Sequence, residues 1–398
     1  MDPIRNPYAP GAGTPPPELA GRDEIRETAR IALERARIGR SSKSIIMVGL
    51  RGVGKTVLLD RIKQDAATDS ILAVSIEAPE DRSIPDMLAP HLRNALLRLS
   101  TRENARQQAQ RALRALTGFV RAFRVNYQGV ELSLDFEPEP GLADNGDLEV
   151  DLPDLLETVG YAAKSAEACV ALYIDELQYV RDNELAALIT ALHRTSQRQL
   201  PVIMLGAGLP QVRSNLGEAK SYAERLFLFP EIGPLSQSDA RKVIAKPAQI
   251  EGVEITSDTL DAIIRITRCY PYFLQEWGFH LWNVADSSPI SIACLDAASQ
   301  RAISELDSGF FRVRFDRLTP QERNYVRAMA DLGEGPYRSS TVAEKLNRNV
   351  QFFSPTRDNL ISKGTIWSTT HGYIDFTVPM FDEFLRRVMP GDDWRSAQ

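Results

Sequence analysis

The segment Gly49-Leu-Arg-Gly-Val-Gly-Lys-Thr56, directly after the apolar run Ser44-Ile-Ile-Met-Val48, constrains this chain more than any other feature. Three glycines, Gly49, Gly52 and Gly54, let the backbone fold tightly with its N–H groups turned inward. There they cradle phosphate oxygens at the start of a helix whose dipole favours anions. The residues Gly49, Leu50, Arg51, Gly52, Val53, Gly54, Lys55, Thr56 and Val57 are therefore read as a phosphate-binding loop entering a helix. Lys55 places a point charge over the outer phosphates, and Thr56 offers a hydroxyl to Mg²⁺. The implied ligand is ATP or GTP.

Phosphoryl transfer also needs carboxylates within reach of the metal and of the attacking water. Cys169-Val-Ala-Leu-Tyr-Ile174 is a continuous apolar run of the kind found in parallel sheets, and it ends in Asp175-Glu176. Alone, this reads equally well as a strand stopping at two solvated acids. Paired with the upstream loop, it assigns Asp175 to Mg²⁺ through water and Glu176 to orienting or deprotonating the nucleophilic water.

A chain of 398 residues exceeds one ordinary core, so two or three domains are expected. Apolar content of 43% and charged content of 25% are those of a soluble globular protein. There is no apolar stretch of membrane-spanning length and no signal-peptide core, so a cytoplasmic protein without membrane contact is expected. Cys169, Cys269 and Cys294 stand apart without metal-ligand spacing and are read as core thiols. A net charge of −6 excludes a large non-specific nucleic-acid surface, so any such contact must be local.

Along the chain, a Pro- and Gly-rich lead-in precedes a helix from about residue 23 to 37. Helices and strands then alternate to about residue 230, which implies a parallel sheet in an α/β domain spanning 1–230. A small hairpin near 123–136 is read as an insertion, followed by an acidic loop holding Asp144, Asp147, Glu149, Asp151 and Asp154. These acids fit no calcium loop and are read as a solvated face, as are the arginines from Arg102 to Arg124. A helical segment follows over 231–304. From Thr319-Pro-Gln-Glu322, a capping box, three short helices and two strands about His371-Gly372 spell a winged helix-turn-helix within 305–390.

Together these residues resemble an AAA+ ATPase of the origin-recognition and replication-initiator type, related to the signal-transducing ATPases with numerous domains. The resemblance rests on Leu19-Ala-Gly-Arg22 in the lead-in, the GLRGVGKT loop, Asp175-Glu176, a helical lid and a terminal winged helix. It implies a P-loop parallel sheet followed by an all-α lid and the winged helix. It also implies that the lead-in packs near adenine, which points to Tyr8, Gly21 and Arg22. An arginine after the fourth strand commonly reaches a neighbour's nucleotide, and Arg225 in SYAERLF matches. In the lid, Thr267-Arg-Cys-Tyr-Pro-Tyr272 resembles the Gly-x-Pro signature, with Cys269 where glycine is usual and Pro271 lining the base pocket. Arg268 is a second candidate lid sensor. The family's polar residue at the end of the fourth strand falls in Gly206-Ala207-Gly208, which carries no side-chain donor.

The resulting expectation is an ATP- and Mg²⁺-dependent switch that hydrolyses slowly, forms a homo-oligomer with ATP, and binds double-stranded DNA through Arg348, Arg357 and Lys363. The charged residues from 347 to 363 are these three and Asp358, a local +2, so one subunit would bind weakly, with a salt slope of about −2 to −3. The small charge keeps open a second reading, in which the winged helix docks a protein partner. A third, a scaffold that binds nucleotide without hydrolysis, is disfavoured by the intact Glu176.

Overall fold

The computed structural model describes residues 1–11, 13–78, 82–127, 130, 131, 136–391 and 394, in two compact units. The first comprises 22–49 and 54–232, the second 1–21, 50–53 and 233–398.

In the first unit, α1 (Asp23–Arg37) leads to β1 (Ser44–Val48), α2 (Lys55–Asp65), β2 (Ile71–Glu77), α3 (Ile84–Ser100) and α4 (Arg106–Phe123). After the short pair β3 (Asn126–Tyr127) and β4 (Val130–Glu131) come α5 (Leu148–Ser165), β5 (Cys169–Asp175), α6 (Asp182–Gln197) and β6 (Val202–Gly208). Two short helices, α7 (Val212–Ala219) and α8 (Ala223–Leu226), precede β7 (Phe227–Leu228). Five strands form one sheet in the order β2-β5-β6-β1-β7, and every pairing is parallel. β1, β5 and β6 are buried along their whole length, which is why they read as unbroken apolar runs. Because all strands point the same way, the ends of β1, β5 and β6 gather at one edge, where such sheets place ligands.

β3 and β4 pair antiparallel as the expected hairpin does, while its turn residues 128–129 and residues 132–135 lie outside the described residues. The acidic segment is corrected. From Leu148 it is the buried helix α5, packed between α4 and α6 through Leu152, Leu155, Leu156 and Val159. Asp151 is fully buried and accepts hydrogen bonds from the Asn145 and Gly146 backbone and the Asn145 side chain, at 2.8 to 3.1 Å. Asp147 caps the helix, accepting from Glu149 N–H, and Asp154 pairs with Arg194 at 2.6 Å. The arginine face of α4 is exposed as expected, with Arg111 paired to Glu139 at 3.0 Å.

The second unit contains α9 (Gln237–Ile250), α10 (Ser257–Thr267), α11 (Pro271–Val284), α12 (Leu295–Glu305) and, after a π-turn over Leu306–Phe311, α13 (Arg312–Asp316). The lead-in lies across the α-helices 9 and 11: Tyr8 is 4% exposed, its hydroxyl donates to the Ile244 carbonyl at 2.5 Å, and its ring fills the space over Gly278. Asn6 anchors the same segment, donating to the Phe279 carbonyl and Asn283. Between α10 and α11 the backbone passes through Arg268 and Cys269 with φ of +51° and +58°. That conformation explains why glycine suits this position, and a side chain there costs about 1 kcal/mol.

The C-terminal part runs α14 (Pro320–Ala330), β8 (Tyr337–Arg338), α15 (Ser339–Lys345), α16 (Ser354–Ser362), β9 (Ile366–Thr370), β10 (Tyr373–Phe376) and α17 (Phe381–Val388). Thr319 and Glu322 form the capping box that opens α14. The three strands make an antiparallel sheet, β8-β10-β9. The terminal helix α17, which the pattern reading did not assign, packs on α14. It buries Phe381 and Phe384 against Phe311, with ring centres 5.4 to 5.9 Å apart.

Candidate nucleotide site

The phosphate loop joins β1 to α2. Gly52 and Gly54 have φ of +80° and +89°, a region that only glycine enters without strain. Gly54 occupies the cap of α2 but offers no side-chain oxygen, so the first N–H groups of the helix have no capping partner from that residue. A Cβ at Gly54 would meet nothing within 4 Å, so it is the backbone angle and not lack of space that calls for glycine there. A glycine turn that leads from the end of a buried parallel strand into a helix N-terminus fits a phosphate. Within the second unit, residues 50–53 are held from outside the cradle. Tyr270 donates its hydroxyl to the Arg51 carbonyl, Tyr272 N–H reaches the Gly52 carbonyl at 3.2 Å, and Arg51 N–H reaches the Thr377 carbonyl at 3.2 Å.

In the first unit, Lys55 is 8% exposed and Thr56 is exposed, and both act on Asp175 at the end of β5. Burial raises the Asp175 pKa. The Thr56 hydroxyl and the Glu176 N–H, at 2.8 Å, donate to its carboxylate, and Lys55 supplies a favourable charge. The loop's hydroxyl therefore meets the acid of the distant strand, and its lysine adds a favourable charge there. A hydroxyl and a carboxylate in contact at a strand end are a hard-oxygen donor set, which fits Mg²⁺. Bound there, the metal would neutralise charge on the phosphate oxygens. Glu176 follows in left-handed conformation, φ +54°, which turns its side chain away from the strand's alternation. Its carboxylate accepts from Gln178.

The remaining candidates are spread more widely. Val57 lies in the first turn of α2, and Arg22 is buried at the start of α1. Pro271 occupies the first position of α11, partly exposed. Tyr8 is corrected from a base contact to a residue of the second unit's core, its ring enclosed and its hydroxyl committed. Arg225 is exposed on α8, and its guanidinium forms no ion pair with the described residues. Arg348 lies over the Phe352 ring at 5.4 Å, and Arg357 contacts Asp358 at 3.1 Å. Lys363 is paired within its own unit. Its ammonium is 2.7 Å from the Glu322 carboxylate, which is 3% exposed, and 3.1 Å from the Arg317 carbonyl, so it neutralises a buried acid.

Sequence reasoning did not identify Gln178, which bridges Glu176 and the end of β6. The available signal was an amide two residues beyond Glu176 in a chain whose fourth strand ends without a polar side chain.

Residues 18–205 match the AAA ATPase domain family, and residues 308–385 match a domain of unknown function, DUF8462. No curated protein matches the chain. Among solved structures, a Walker-type ATPase of Pyrococcus abyssi aligns with a TM-score of 0.58 at 15% identity, over 92% of this chain and 96% of that one. The Orc1 protein of Aeropyrum pernix in complex with DNA aligns at 0.46 and 13% identity, over 94% of each chain. The RuvB Holliday junction branch migration motor of Thermotoga maritima aligns at 0.45 and 14%, over 91% and 95%. No helix among the described residues is long and apolar enough to cross a membrane.

Proposed function

We propose that this chain, an AAA+ ATPase by its matched domain and fold, binds ATP with Mg²⁺, hydrolyses it slowly as a monomer, and uses the cycle to control assembly on a partner. The observation that carries the reading is the contact of Thr56 with Asp175, in the field of Lys55, since neither half of the site could work alone. Gly49 to Val57 would hold the triphosphate, with Thr56 and Asp175 holding the metal. Glu176 would take the proton of the attacking water while the bond to the leaving diphosphate breaks.

Arg225 fits a residue supplied to a neighbouring subunit, being exposed, cationic and uncommitted after the fourth strand. An arginine supplied in trans raises turnover by about 10³ to 10⁵. Turnover per subunit is therefore expected to rise with protein concentration, and Arg225→Ala should flatten that rise while ATP affinity stays unchanged. Identical concentration curves for the two proteins would remove the role.

For the partner, we read the C-terminal helices and antiparallel sheet as a winged helix acting on duplex DNA, with α16 as the reading helix. With Lys363 spent on Glu322, Arg348 and Arg357 remain as the local cations of the expected set. Two phosphate contacts give a salt slope of only about −2 per subunit, so useful affinity requires several subunits on one duplex. Duplex retained on a filter should increase with ATP and fall with salt. The exposed Val350 and Phe352 beside Arg348 favour the second reading, a protein-docking face. ATP-independent or salt-insensitive retention would decide for it.

A further inference from the structure

Beyond the loop and the two acids, the side chain of Gln178 links the end of β5 to the end of β6. Gln178 lies in the short 3-10 turn Leu177–Tyr179 that follows Glu176. Its Oε1 accepts from Leu209 N–H at 3.0 Å, just beyond β6, and its Nε2 donates to the Glu176 carboxylate. Both partners dictate this orientation, because a backbone N–H can only donate and a carboxylate can only accept. The amide has a second Nε2 hydrogen beyond the one given to Glu176.

The glycines of β6 make room for this arrangement. Gly206 and Gly208 lie on one face of the strand, separated by Ala207. A Cβ on Gly206 would come 2.4 Å from the Leu177 side chain, and one on Gly208 would come 3.1 Å from Gln178 Oε1 and 2.7 Å from Val212. The turn after β5 thus occupies the space that side chains from the end of the fourth strand would fill. The strand carries no donor because a neighbouring residue reaches over it.

We propose that Gln178 is a positioning residue for ATP hydrolysis. It ties the Glu176 carboxylate to the end of β6 and supplies the side-chain donor that Gly206 and Gly208 lack. The inference rests on the ATPase reading and adds to it a residue outside the phosphate loop and the acid pair. Glu176 begins from a left-handed backbone that leaves its side chain unsupported by the strand, so a second tether fixes where its carboxylate points.

The test uses the full chain with Gln178→Ala and Gln178→Glu, measuring phosphate release at saturating ATP, ATP affinity by titration, and the thermal midpoint. Gln178→Glu keeps the shape and an oxygen for Leu209 N–H but presents a carboxylate to Glu176. If the amide served only to satisfy Leu209, Gln178→Glu would keep full turnover. The expected result is that both variants lose turnover by about 10- to 100-fold at saturating ATP, with affinity within about twofold of the unmodified chain. Unchanged turnover in Gln178→Glu, or faster turnover in Gln178→Ala, would overturn the assignment; the latter would make Gln178 a restraint on Glu176. An unmodified chain that binds ATP yet never releases phosphate, at any protein concentration, would instead overturn the ATPase reading itself.

Discussion

Glu176→Gln is expected to lower phosphate release by about 10³-fold while ATP still binds, because it removes the proton acceptor and leaves the cradle intact. The substitution keeps the side chain's size, and the residue is only half-buried, so the turn over Leu177–Tyr179 should persist. Lys55→Ala acts at the other end of the same site. Lys55 is buried beside Asp175, and its loss removes a charge from the phosphates and from the acid together, so ATP affinity itself should fall by about 10- to 100-fold. The contrast separates binding from chemistry. Stoichiometric ATP binding by titration and phosphate release under identical conditions give both quantities. Should Glu176→Gln release phosphate at the unmodified rate, the acid would not be the base, and the proton would have to leave by another route.

The parts of this site that were legible in the sequence are those whose chemistry is local. Gly49 to Thr56 need their residue types at fixed spacing because one turn of backbone must bend around a phosphate, and Asp175-Glu176 announce themselves by ending the continuous apolar run Cys169 to Ile174. What escaped was set by partners far along the chain. Tyr8 reads as a base contact until its hydroxyl is seen on Ile244, and Lys363 reads as a phosphate contact until Glu322 is seen beneath it. Helix α5 was obscured by Pro153 and by acids that suggest a wet loop. Its signal was the spacing of Leu148, Leu152, Leu155, Leu156 and Val159, and the acids turn out to cap the helix, order the loop before it and pair with α6. β7, two residues long, is too short to carry a period and exists because β1 offers it an edge. Gln178 belongs to the same class: its importance comes from two glycines on a strand that begins two dozen residues later in the chain.

Glu276→Gln is expected to stabilise the second unit at pH 8 and to leave it almost unchanged near pH 4.5. Glu276 lies on α11 with its side chain 3% exposed, and His280, one turn on, approaches its carboxylate at 3.2 Å. Burial raises its pKa from 4.5 to about 7, and the nearby Glu305 carboxylate adds to the rise. His280 offers no compensating charge, because burial lowers its own pKa; Glu305 and Arg301 act on it in opposite directions. Tyr272, one turn before Glu276, has its hydroxyl pushed up to about 12 by burial and stays neutral. The sign follows from linkage. In the unfolded chain Glu276 ionises near its ordinary pKa, so between 4.5 and 7 folding takes up a proton, and stability declines as pH rises through that window. Above it, the folded state carries a buried charge whose cost is about 3 kcal/mol for a rise of this size. Glutamine never ionises, so the substitution should recover most of that cost at pH 8, about 2 to 3 kcal/mol, less whatever the buried amide loses in hydrogen bonds. Denaturant unfolding of the full chain at pH 8 and pH 4.5, followed by the fluorescence of Trp277 and Trp282 on the same helix, reads the difference directly. Equal stability changes at the two pH values would show that Glu276 is not the group that titrates. A destabilisation at pH 8 would mean that its carboxylate is held ionised by a partner stronger than His280.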